Sequence, residues 1–366
     1  QPCGKHIPNR QVPFRSDPYL VPYANQLAER ARRVREAEKR LTKGSRTLAD
    51  FASGHEYFGL HPTSDGWVFR EWAPAATEIF LIGAFSNWQP RERFRLRRLD
   101  SPDRETWELR LPAEAMKHGD LYRLRVHWKN GGGDRIPSYA RRVVQDPSSL
   151  IFNAQVWSPE TPYAWRHERP RDEKLVPFVY EAHVGMAQEK PAIGSFREFT
   201  ETVLPHIADL GYNVFQLMAV MEHPYYASFG YHVSSFFAAS SRFGTPEDLK
   251  KLVDEAHGLG LRVVIDLIHS HAVRNEVEGL ARFDGTPYQF FHEGERGLHR
   301  AWDSCCFDYA KPQVIHFLLS NCRFWLDEYN LDGFRFDGIT SMVYRDHGLG
   351  AAFVSYDQYF GENIDE

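Results

Sequence analysis

Cysteine is scarce here. The 366 residues hold four, Cys3, Cys305, Cys306 and Cys322, with no C-x-x-C spacing, so a disulfide framework is excluded and buried free thiols in a reducing, cytoplasmic compartment are expected. Charge of one sign is also lacking. Lys and Arg number 44 against 49 Asp and Glu, a net −5, which gives no global attraction to nucleic acid or to an anionic membrane. No apolar run approaches the roughly 18 to 20 residues that span a bilayer, and the mean hydropathy of −0.50 agrees. A soluble chain with a neutral or mixed-charge partner, acting as a monomer, is the expectation. The chain starts at Gln1 instead of Met and shows no charged-then-apolar leader, which predicts an N-terminus that has already been cut.

What is present is aromatic. Phe, Trp and Tyr make up 14% of the chain within a hydrophobic total of 42%, enough for a substantial core, and the length predicts more than one folding unit. Residues 1–54 read as a proline-rich tail followed by an amphipathic helix over Asn25–Lys43, with Leu27, Ala31, Val34 and Leu41 on one face. Residues 55–155 change to short alternating runs such as GWVFREW and LYRLRVHW between Gly, Pro, Asn and Asp turns, the pattern of an antiparallel β-sandwich. A linker over 156–174 then leads to apolar strands alternating with helices. Residues 175–366 contain four such units and predict a parallel sheet covered by helices.

The last of those strands, Asp332–Gly338 (DGFRFDG), puts Phe334 and Phe336 on one face and Arg335 and Asp337 on the other. The aromatics should face the helices. A cation and a carboxylate then share the inner face at a strand's C-terminal end, where barrel enzymes place catalytic groups. In RVVIDLIH the carboxylate of Asp266 stands inside an otherwise apolar run, and Arg335 on the neighbouring strand is its natural partner. The loop MEHPYYASFGYHVSSFF collects Tyr225, Tyr226, Phe229 and Tyr231 with His223 and His232, a surface suited to a sugar ring with its apolar C–H faces and peripheral hydroxyls.

Together, DLIHSH (266–271) and GFRFD (333–337) resemble two signature segments of the α-amylase superfamily. YEAHVG, QLMAVMEHPYYASFGY and AASSRFGTPEDLKKLVDEAHGLG are similar to the glycogen and starch branching enzymes within it, and EWAPAATEIFLIGAFSNW resembles the carbohydrate-binding module that precedes their barrel. The resemblance implies a β-sandwich module followed by a (β/α)8 barrel, of which the first half is present. It makes Asp337 the nucleophile of a retaining mechanism that cuts an α-1,4-glucan and transfers the segment to a 6-hydroxyl. Arg335 would align that carboxylate. Asp266 and His271 would hold the sugar, Tyr231 would stack on it, and His223 would lie at the cleft edge. Trp88 in FSNW is the candidate glucan platform on the module, whereas Trp72 should be core. The partner is an α-glucan polysaccharide such as glycogen, starch or a maltooligosaccharide.

A retaining mechanism needs a second carboxyl about 5 to 5.5 Å from the nucleophile. The resemblance places it on a Glu after the next strand, a segment that does not occur before Glu366, so the chain as it stands is expected to be inactive. Ser270 stands where the amylases have the Asn that ligates calcium, which implies no calcium requirement, no other metal and no cofactor. Three other readings remain at this point. One is a debranching or trehalose-releasing hydrolase of the same superfamily, and another is a glucan-binding fragment without turnover. The third is a metal-dependent hydrolase using His269 and His271 as an H-x-H pair with Asp266 or His223.

Overall fold

A computed structural model describes residues 17–100, 104–171 and 176–365. Cys3 and most of the expected proline-rich tail lie outside them. The chain divides into two compact units, one running to Phe51 and resuming at Val343, the other spanning Ala52–Met342.

In the first unit α1 (Ala24–Thr42) ends where Lys43 and Gly44 turn left-handed, at φ 53° and 66°, the geometry that glycine relieves. Its apolar stripe is interrupted. Leu27, Ala31 and Leu41 are half-buried, but Val34 is 66% exposed, because the aromatic residues that meet the helix do so near its start. There Tyr23 stacks on Phe360 at 4.4 Å and Arg30 sits over the same ring. A single turn, α2 (Leu48–Phe51), follows, held by Thr47 and Asp50.

The second unit opens with α3 (Gly54–Tyr57), where Gly54 is closely packed. A Cβ there would meet the Tyr139 hydroxyl at 2.8 Å and Ser320 Oγ at 2.9 Å. Two antiparallel sheets follow. One orders β1 (Gly59–Thr63), β2 (Gly66–Trp72), β5 (Thr106–Pro112) and β4 (Arg97–Arg98). The other orders β3 (Ala76–Gly83), β6 (Leu121–Trp128), β9 (Phe152–Gln155) and β8 (Val143–Gln145), with β7 (Gly131–Arg135) on β6. Phe69, Ile79, Leu81, Leu124 and Val126 are fully buried between them. The alternation is imperfect because the sandwich is also covered from outside. Arg135 donates to the Phe283 and Arg282 carbonyls, Asp284 accepts from Ala75 N, and Gln289 donates to the Trp72 carbonyl.

Residues 156–171 form neither helix nor strand, but they are tied down. The buried Asp254 accepts from Tyr163 Oη at 2.9 Å and from the backbone N–H groups of Arg166 and His167.

A parallel four-stranded sheet carries the site, in the order β10 (Val179–Ala182), β11 (Val214–Leu217), β14 (Arg262–Leu267) and β18 (Gly333–Phe336). The helix between β10 and β11 starts at a Ser195–Glu198 capping box and comprises α4 (Phe196–Glu198), a wide π turn and α5 (Leu204–Asp209). The widening coincides with Pro205, which has no N–H to continue the ladder. Helices α6 (Pro246–Gly258) and α7 (Pro312–Glu328) each begin with proline in the first turn. Two short strand groups decorate the loops. They are β12 (Met221–Glu222) with β13 (Ser235–Ala239), and β15 (Ala272–Val273) with β17 (Ser304–Cys305) and β16 (Leu298–His299).

After β18 comes the short α8 (Ile339–Val343). Phe334 is half-buried as expected, whereas Phe336 is 40% exposed with its ring 5.7 Å from His269. The cause is position: β18 pairs with β14 along one edge and with no other described strand. Among the described residues no helix is long and apolar enough to cross a membrane. Cys305 and Cys306 are buried and Cys322 half-buried, all three as free thiols, and burial pushes Cys306 up to about 12.

Candidate active site

Parallel pairing sets Asp266 directly beside Arg335. Asp266 is wholly buried, and a carboxylate in that position must be saturated with donors. It is. Gln216 Nε2 donates to Oδ1 at 2.7 Å, while Tyr231 Oη at 2.7 Å and Arg335 Nη1 at 3.0 Å donate to Oδ2. The same Arg335 nitrogen reaches Asp337 Oδ1 at 2.7 Å. One guanidinium thus bridges a closed carboxylate to an open one, since the Asp337 side chain retains 22% exposure. The Asp337 backbone N–H bonds to the Leu267 carbonyl at 2.9 Å, which continues the β14–β18 ladder as far as Asp337.

Burial raises the Asp266 carboxyl above its usual range, against the hydrogen bonds and the Arg335 charge that favour the ion. For Arg335, partial burial works toward a lower value but is outweighed by Asp266 and Asp337, so the guanidinium is held more firmly protonated. Two carboxylates share one cation, and the open one is Asp337. Gln216 was not anticipated, although it is the one polar side chain inside the apolar run NVFQLMAV.

His271 belongs to the same cluster but is enclosed. Its Nε2 donates to the Tyr231 carbonyl at 2.9 Å and its Nδ1 takes the Ser270 hydroxyl at 2.9 Å, the tautomer that this network assigns. It therefore fixes the backbone that carries Tyr231. Burial holds it at about 4, neutral at physiological pH. Trp302 closes this side, 4.9 Å from the His271 ring and stacked on His299 at 3.9 Å.

Two expected residues lie elsewhere. His223 is completely enclosed instead of sitting at a cleft rim, with Nδ1 on the Met221 carbonyl at 2.9 Å. Its neighbour Glu222 explains this by anchoring the loop inward on Ser240, Ser241 and Arg242. Trp88 sits on the sandwich after β3 at left-handed φ 57°, 36% exposed. Trp72 is buried edge-on against Phe290 and donates to Glu105 at 2.8 Å. The metal reading loses its ligands, because His269 Nε2 is committed to Asn321 Oδ1 at 2.9 Å and His271 to Tyr231. Among the described residues no group of three or more His, Cys, Asp or Glu could hold a metal ion.

Comparison with known proteins agrees with this arrangement. Residues 57–149 match Carbohydrate-binding module 48 (Isoamylase N-terminal domain), and residues 186–287 match Alpha amylase, catalytic domain. The 1,4-alpha-glucan-branching enzyme of Dictyostelium discoideum is 44% identical over 356 residues, which is 96% of this chain and 52% of that protein. That of Yarrowia lipolytica is 45% identical over 364 residues, again 96% and 52%. The chain spans about half the length of the curated relatives it matches. Among solved structures, a Salmonella typhimurium protein assigned to the alpha amylases aligns over 78% of this chain and 44% of its own, with a TM-score of 0.64 and 26% identity. The catalytic module of the glycogen-degrading pneumococcal virulence factor SpuA shares the fold, with a TM-score of 0.63 and 16% identity over 79% of this chain and 48% of its own. Both modules occur in order, and along 96% of its length the chain is 43–45% identical to proteins named 1,4-alpha-glucan-branching enzyme.

Proposed function

We propose that the whole protein is a retaining glucan transferase that cuts an α-1,4-linked glucan and rejoins the segment to a 6-hydroxyl. The observation that carries this reading is the Asp266–Arg335–Asp337 bridge. Asp337 is the nucleophile. Its carboxylate bonds to the anomeric carbon as the glycosidic C–O bond breaks, and the departing 4-oxygen takes a proton from the second carboxyl such a mechanism requires. The acceptor 6-hydroxyl then returns that proton, its oxygen bonds to the anomeric carbon, and Asp337 leaves as carboxylate. Arg335 keeps Asp337 pointed, while Asp266 and Gln216 keep Arg335 in place. Tyr231 meets the sugar next to the cut, its hydroxyl held by the enclosed Asp266 and its backbone supported from behind by His271.

The substrate reading is an α-glucan polysaccharide, handled by a monomer in the cytoplasm, with the sandwich of residues 55–155 as its binding module and residues 175–366 as barrel. The test is Asp337→Ala in a protein of the relatives' full length that contains this segment. Iodine staining of amylose should show no branching, and retained branching would refute the assignment.

A further inference from the structure

Away from Asp337, a cavity of about 330 Å³ opens where residues 157–165 cross α6 and α7. This is at the lower end of the roughly 300–1,000 Å³ range of small-molecule sites. Its polar centre is Glu247. Trp157 Nε1 donates to Glu247 Oε1 at 3.2 Å, and Oε2 of the same carboxylate is buried without a hydrogen-bond partner among the described residues. Such an oxygen is costly to leave unsatisfied, and a ligand donor would answer it. The aromatic wall is Tyr163 and Trp165, both half-buried, edge to face at 5.1 Å and 69°, and fastened by the Tyr163 hydrogen bond to Asp254.

The charges define the ligand class. Arg141 and Lys250 line the cavity against Glu247, Asp327 and Glu328, and Lys250 is already paired with Glu328 at 2.5 Å. Asp327 is likewise paired, with Arg323 at 3.1 Å, so the charges left are those of Arg141 and Glu247, which balance and favour neither a bare anion nor a bare cation. A ligand must donate to Glu247 and accept from Arg141. An ammonium does only the first, whereas a hydroxylated ring does both and offers C–H faces to Tyr163 and Trp165. We propose that this pocket is a second carbohydrate site, holding a glucosyl unit of the polymer while another stretch lies at Asp337. The identity of the sugar rests on the α-glucan reading above.

The probe is maltotriose, titrated into the full chain while the indole N–H resonances of Trp157 and Trp165 are followed by NMR. Both should shift together, in the wild type and in Asp337→Asn alike. Glu247→Gln should raise the dissociation constant about tenfold, and Trp165→Ala should abolish the shift of Trp157 with the fold retained. Still indoles at saturating maltotriose, or an unchanged constant in Glu247→Gln, overturn the proposal, as does a response to methylammonium or phosphate in place of the sugar. Any of these leaves the Asp337 reading to its own iodine test.

Discussion

Two arginine–carboxylate clusters stand on neighbouring loops and strands of the barrel unit. Glu222 and Asp266 are both fully buried. Glu222 accepts from the His223 and Ser241 N–H groups and from the Ser240, Ser241 and Arg242 side chains. Arg242 in turn gives its other donors to the His223 and Pro224 carbonyls, with only 14% of its side chain exposed. Every group in that cluster faces the protein. In the other cluster Arg335 is 47% exposed and ends on Asp337, whose second oxygen accepts no hydrogen bond among those described here. Arginine and carboxylate therefore make a closed staple in one place and an open-ended bridge in the other. The difference is one carboxylate left open at the end of a saturated chain of donors.

The sharpest way to break this comparison is to remove the open end. Asp337→Asn should lower turnover by on the order of 10⁴-fold or more, yet shift the unfolding midpoint in urea little, because Asp337 is the less enclosed of the two carboxylates. An equal loss of stability would make it a staple like Glu222. The reverse is expected of Glu222→Gln. It strands Arg242 among carbonyls and should cost about 3 kcal/mol in urea unfolding, with turnover per folded molecule within a few-fold of wild type.

Arg335→Lys is subtler. An ammonium on a flexible stem does not hold its donors in the fixed plane that sets Nη1 between Asp266 and Asp337, so kcat should fall about 10²-fold with a smaller change in KM. Stability should change by less than about 1 kcal/mol, as expected for a half-exposed cation. A change in KM alone would place Arg335 in binding, not in alignment of the nucleophile.

Acid should discriminate between the regions too. His271, and His269 behind it, are held near 4 by burial, against about 6.5 in the unfolded chain. The unfolded chain then binds protons first, so the stability of the neutral rings is complete above pH 6.5 and is lost as pH falls from 6.5 toward 4. The loss is on the order of 2 kcal/mol per ring by pH 5. His271→Gln should flatten that slope in a pH series of thermal melts, and an unchanged slope would mean that the ring is not enclosed.

Sequence periodicity reads one element at a time, and that sets what it could find. Alternation within β18 was enough to set Arg335 and Asp337 on one face, and the apolar run of β14 was enough to mark Asp266, because an ionisable group there has no local partner. The parallel sheet and the capped helices follow from the same local patterns. Gln216 escaped because its role appears only when β11 is laid beside β14, and His223 was misplaced because Glu222, one residue earlier, turns its loop inward. Phe336 was misjudged for the same reason: exposure at a sheet edge depends on the neighbouring strand, not on the residue's own alternation.

The smallest effect concerns two tryptophans in the sandwich, which repeat the open and closed contrast without charge. Trp72 has its ring on Phe290 and its N–H on Glu105, so Trp72→Ala leaves a cavity and should cost about 3 kcal/mol or more. Trp88 is outside that core, 36% exposed at a left-handed turn, and Trp88→Ala should change stability by no more than about 0.5 kcal/mol. If its open ring carries glucan, the same change should weaken glycogen co-sedimentation several-fold, the equivalent of about 1 kcal/mol of aromatic contact. Unchanged co-sedimentation, with the fold intact, would leave Trp88 as an exposed ring without a ligand and move the module's binding surface elsewhere on its sheets.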